Sequence, residues 1–211
     1  VMMAKYGFRG VLYNSPLIVN TDINNSYMTS ANMINLHDNL GWQNASQAYS
    51  TEAQAVIEGM TSIQRTAEIS KLRNMQNELG LSGGQDGSYY SGINFNSLGP
   101  YTDFRKSHRT MRAFFSGNGS GVPFTYVEMF PFPDPMMVRS LNAETWTGTN
   151  NGTQLIAHID QTIANKGVAI FTWHNGLNST ANLQNGFLQL LAYCDTKRDV
   201  LDNCTMEELF Y

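Results

Sequence analysis

Apolar residues recur at helical spacing along much of the chain. From Thr51 onward Ala53, Val56, Ile57, Met60, Ile63, Ala67, Leu72, Met75 and Leu79 keep a helical spacing, and Gly80 stands where such a helix stops. Gly59 divides this run in two. Thr29 is a capping residue for a helix that carries Met33, Ile34 and Leu36 and ends near Gly41. Ile156, Ile159 and Ile163 place another helix over residues 153–165, stopped by Gly167, and Leu183, Phe187, Leu190 and Leu191 place the last over 181–194. The first residues, ending at Gly7, read as the end of a helix.

Between the helices, residues 10–13, 42–45, 111–115, 123–130 and 168–173 read as strands, the last being the clearest buried one. Pro131, Pro133 and Pro135 close the fourth. Residues 81–103 are rich in Gly, Ser, Asn and Tyr and read as a loop; a short strand and a final turn of helix after Thr205 end the chain. Strands alternating with helices predict an α/β fold with a parallel sheet or barrel, whose sites lie at the C-terminal ends of the strands.

Composition narrows the partners. The 211 residues are enough for one α/β domain spanning 1–211, and an opening at Val1 without a basic leader reads as part of a longer chain. No apolar run approaches the roughly 20 residues of a membrane span. Charged residues are 14%, against about 25% in an average soluble protein, and amides and hydroxyls take their place. Such a surface suits tail fibres, capsid parts and sugar-binding domains, as well as neutral extracellular domains. A net charge of −4 without a basic stripe argues against a nucleic-acid partner. Cys194 and Cys204 fit either a disulfide or two core thiols. His37, His108, His158 and His174 show no ligand spacing, and His37 and His158 fall in helices where solvated or capping roles are expected. Phosphate loops and dinucleotide fingerprints are absent from the sequence.

Four segments together resemble the polysaccharide (chitooligosaccharide) deacetylase family. Residues 4–13 look like its first helix running into its second strand. Residues 28–51 look like a helix followed by the strand that carries two metal-binding histidines four residues apart. The segment Gly84-Gln85-Asp86-Gly87-Ser88-Tyr89 sits where the family has its Pro-x-Gly loop, with Gln85 in place of the Pro. The segment Ile170-Phe171-Thr172-Trp173-His174 looks like the strand ending in the family's Leu-x-His. The resemblance implies a distorted (β/α) barrel of the polysaccharide deacetylase type, its first strand lying upstream.

In that family a divalent metal, often zinc, is held by one Asp and two His and activates the attacking water. Gln47 and Thr51 stand at the two His positions, and the Asp motif would precede Val1. An amide and a hydroxyl are poor zinc ligands, so no metal site and no cofactor are expected. His174 keeps the general-acid position with nothing to protonate efficiently. The resemblance places Gln47, Thr51, Asp86, Tyr89, Tyr90 and Trp173 around the cleft, where aromatic faces beside amides suit pyranose rings.

The reading is therefore a catalytically degenerate domain, a structural or glycan-binding module of a larger extracellular or virion assembly such as a phage tail. Its expected partners are a glycan or cell-surface polysaccharide and other subunits of that assembly. The second reading is an active carbohydrate deacetylase, completed by upstream Asp residues, His174 and a rearranged metal site; the third is a purely structural domain.

Overall fold

The computed structural model describes residues 2–16, 19–20, 28–47, 57, 59–81, 85–88, 98–114, 127–143, 151–173 and 181–210. The chain divides into two compact units. The first consists of Arg9–Ala113, Pro135–Met137 and Cys204–Tyr211; the second of Val1–Phe8, Phe114–Asp134 and Val138–Asn203.

In the first unit, four strands lie side by side in chain order: β1 (Val11–Asn14), β2 (Gln43–Gln47), β3 (Asp86–Ser88) and β4 (Thr110–Phe114). Every ladder is parallel, with Asn14 opposite Ser46, Gln47 opposite Ser88, and Ser88 opposite Arg112. Parallel neighbours require crossovers, and helices supply them. After α1 (Met2–Lys5), which belongs to the second unit, come α2 (Ser30–Leu40), α3 (Ser62–Glu78) and α4 (Leu98–Arg105). Thr29 caps α2 by accepting from the Asn32 amide at 3.2 Å, and Gly41 ends it in the left-handed conformation at φ 65°. Thr61 and Gln64 cap α3 reciprocally, so this helix starts three residues beyond Gly59.

Side-chain alternation gives the sheet two unlike faces. One face meets the helices. Leu12 joins the cluster of Val19, Met33 and Leu81, while Met111 joins Ile57, Ile69, Leu72, Phe104 and Met136. Each fully buried aliphatic side chain there contributes about 1.5–3 kcal/mol. Gln43, Gln47, Asp86, Ser88, Thr110 and Arg112 lie on the other face.

The second unit holds β5 (Val138–Asn142) and β6 (Phe171–Thr172) in a parallel pair, with α5 (Asn151–Asn165) and α6 (Ala181–Asp195) packed together. Phe8, Leu141, Leu155, Ile159, Phe187, Leu190 and Leu191 form its core. The chain closes with α7 (Met206–Leu209) in the first unit, where Thr205 and Glu208 form a second capping box.

The α/β class and the parallel ladders agree with the sequence pattern, but several elements differ. Residues 81–103 are not all loop: Asp86–Ser88 pairs on both sides, and Leu98–Arg105 is helical. The expected strand 168–173 shrinks to Phe171–Thr172, because Val168 is drawn into an isolated antiparallel bridge with Glu128. Val138–Asn142 is a strand hidden behind the three prolines. Residues 196–200 form turns closed by Thr196, Lys197 and Val200 amides rather than a strand. His158 is fully buried with its ring edge-on to Phe171 at 5.5 Å, not solvated on its helix.

Candidate functional site

The C-terminal ends of β2 and β3 and the middle of β4 place Gln47, Ser88 and Arg112 in one row on the polar face. Arg112 Nη2 donates to Ser88 Oγ at 2.6 Å, and its guanidinium lies over the Tyr13 ring at 4.9 Å. Burial pushes the guanidinium pKa down to about 10 against the opposing influence of Tyr13. The Tyr13 phenol is pushed up to about 12, first by burial and then by Asp86, with Arg112 working the other way. Tyr13 is therefore a neutral hydroxyl at any ordinary pH.

One layer nearer the strand starts, Asp86 is completely buried. It accepts from Gln43 Nε2 and Thr110 Oγ1, each at 2.5 Å, and Arg109 Nη2 lies 3.5 Å away. Gln43 Oε1 in turn accepts from the Glu207 amide at 3.0 Å, which fastens α7 to the sheet. A buried carboxylate with this many donors holds its surroundings rigid. Asp86 thus supports the row above it and is closed to solvent.

The sequence-derived site residues fall into three groups. Gln47 and Asp86 share the polar face of the first unit, at its end and its base. Trp173 belongs to the second unit, where it follows β6 and packs on Phe187 at 4.5 Å and Phe171 at 5.6 Å. Thr51, Tyr89, Tyr90 and His174 lie outside the described residues.

Sequence reasoning passed over Tyr13, Ser88 and Arg112. The available signal was the run of polar residues in β2, Gln43-Asn44-Ala45-Ser46-Gln47, and Thr110-x-Arg112 in β4, which are unusual because parallel strands are normally apolar throughout.

The row does not fit a family-type divalent metal. Its described donors are an amide, a hydroxyl and a phenol, and the guanidinium beside them repels a dication. Among the described residues no three His, Cys, Asp or Glu side chains gather. The partly exposed groups suit the hydroxyls of a sugar, Gln47 both donating and accepting and Tyr13 carrying a phenol, while Ser88 and Arg112 are buried.

No family model matches the chain. Among curated proteins none matches it significantly.

Proposed function

We propose that this chain is a polysaccharide-deacetylase-like domain that binds glycan without hydrolysing it, as a module of a larger extracellular or virion assembly such as a phage tail. One observation carries the reading: Gln47, at a position where the family resemblance expects a metal-binding histidine, ends β2 in a row with Ser88 and Arg112. An amide, a hydroxyl and a guanidinium recognise sugar oxygens and leave zinc weakly bound. The distorted barrel of the deacetylase type belongs to this proposal, supported by parallel strands running in chain order with helical crossovers. Its partners would be a cell-surface polysaccharide and neighbouring subunits of the assembly.

The test is a titration of the purified chain with acetylated and deacetylated oligosaccharides, with acetate release followed in parallel. The proposal expects saturable binding, no acetate, and at least a fivefold loss of affinity in Gln47→Ala. Acetate release dependent on added zinc would replace it with the active-enzyme reading. Absence of binding to every glycan would leave a purely structural domain.

A further inference from the structure

His108 sits in the first unit at the corner between α4 and β4, and its hydrogen bonds define a tautomer. Ser107 Oγ donates to the Phe104 carbonyl at 3.1 Å and lies 2.8 Å from His108 Nδ1. The single hydroxyl proton is used on Phe104, so Nδ1 carries the ring proton and donates to Ser107 Oγ. Nε2 is then a bare lone pair, buried and without a hydrogen-bond partner among the described residues. The ring edge lies where a Gly87 side chain would stand, with Cδ2 2.7 Å and Nε2 3.1 Å from that position, and the Phe104 ring packs edge-on at 5.6 Å.

The charged groups facing the ring are few. From α3, Arg73 donates through Nη2 to the Ser107 carbonyl and adds positive charge. From β3, Asp86 is engaged by Gln43 and Thr110 and faces the Arg109 guanidinium at 3.5 Å. The faces supplied by α4 and β4, Phe104 and Met111, are apolar. A proton on Nε2 would therefore create a buried cation whose N–H has no acceptor among the described residues, within reach of the Arg73 charge.

We propose that His108 is an acid-released latch: neutral, it holds the end of α4 against β3, and protonated, it lets the α4–β4 corner open. Burial first, and Arg73 second, depress the ring pKa from 6.5 to about 4, opposed by the Phe104 backbone and Asp86. Because the folded value is the lower one, the latch's contribution is complete above 6.5 and is lost as pH falls through 4. Opening of the corner should rise about 20-fold between pH 7 and pH 5.

Amide hydrogen exchange across residues 98–114, corrected for intrinsic rates, tests this in the full chain. The wild type should show the roughly 20-fold rise, and His108→Phe, which keeps the ring packing and cannot titrate, less than threefold. Equal rises in both proteins, or none in the wild type, would overturn the latch. Should His108→Phe fail to fold, the wild-type His108 Cε1 proton decides by NMR: titration below pH 5.5 supports the latch, and titration at or above 5.5 refutes it.

Discussion

Asp103 offers the sharpest stability test, because it is a buried carboxylate with three donors, two of them on a neighbouring helix. Arg65 Nε reaches it at 2.7 Å and Ser62 Oγ at 2.6 Å from α3, and Lys106 Nζ reaches it at 2.9 Å from just beyond α4. The Arg65 and Asp103 side chains are only 8% and 2% exposed. Gly99 makes room for the arrangement, since a side chain there would stand 2.7 Å from Arg65 Nη2. Asp103→Ala removes the counter-charge and leaves a buried guanidinium with only carbonyl acceptors such as those of Ile57 and Met60, a loss of about 3–5 kcal/mol. For a chain of this size that corresponds to a fall in Tm of roughly 6–20 °C. Urea denaturation gives the same quantity as a lower midpoint at unchanged slope. Replacing both partners, in Arg65→Met/Asp103→Leu, should recover most of the loss, because neither charge is then stranded.

The acid dependence of the same pair has a fixed sign. Burial works to raise the Asp103 carboxyl, but hydrogen bonds from Ser62, Lys106 and Arg65 outweigh it and hold the pKa at about 2, below its ordinary 3.8. Its stabilisation is therefore full above 3.8 and lost as pH falls through about 2. The gap between wild type and Asp103→Ala should be constant near pH 5 and narrow below pH 3.8. A single-substitution loss under about 1 kcal/mol, or a double variant no better than the single one, would refute the reasoning.

Two further predictions follow from the polar face and its supports. Gly87→Ala would place a methyl 2.6 Å from Met111 Sδ and 2.7 Å from His108 Cδ2, and should cost about 1–3 kcal/mol in thermal unfolding; a neutral substitution would show that the β3–β4 contact is looser than described. Gln47→His/Thr51→His should raise zinc affinity at least tenfold over the wild type by calorimetry, because two imidazoles four positions apart replace an amide and a hydroxyl. No gain would count against the family-like placement of these two positions.

Much of this fold was legible because its signals are local. Thr29 with Gly41 marked α2, the apolar spacing marked α5 and α6, and Gly80 at φ 72° marked the end of α3, whose buried side is Arg65, Ile69, Leu72 and Gln76 and not the expected one, Ile63 being 83% exposed. These depend on spacing and on backbone conformations that glycine adopts readily. Asp86–Ser88 was not legible as a strand, since Asp-Gly-Ser is turn chemistry and only its two neighbours make it extended. Val138–Asn142 was masked by prolines, and Val168 by a long-range bridge that no window of sequence contains.

The site was legible in a different proportion. Gln47 was reached through resemblance, whereas Ser88, Arg112 and Tyr13 joined it only through register, which is a property of the paired strands. Asp86 was singled out from sequence as part of the cleft. Its place at the base of the polar face, tied to Gln43 and Thr110, gives it a supporting part instead.

The central claim is a deacetylase-like scaffold that keeps sugar-binding groups and does not hold the family's metal. Its most direct test is a single experiment on the full chain: equilibrate it with zinc, remove the excess, measure metal per chain, and assay acetate release from an acetylated oligosaccharide. The account predicts far less than one zinc per chain and no acetate. One firmly held zinc per chain together with acetate release would contradict it.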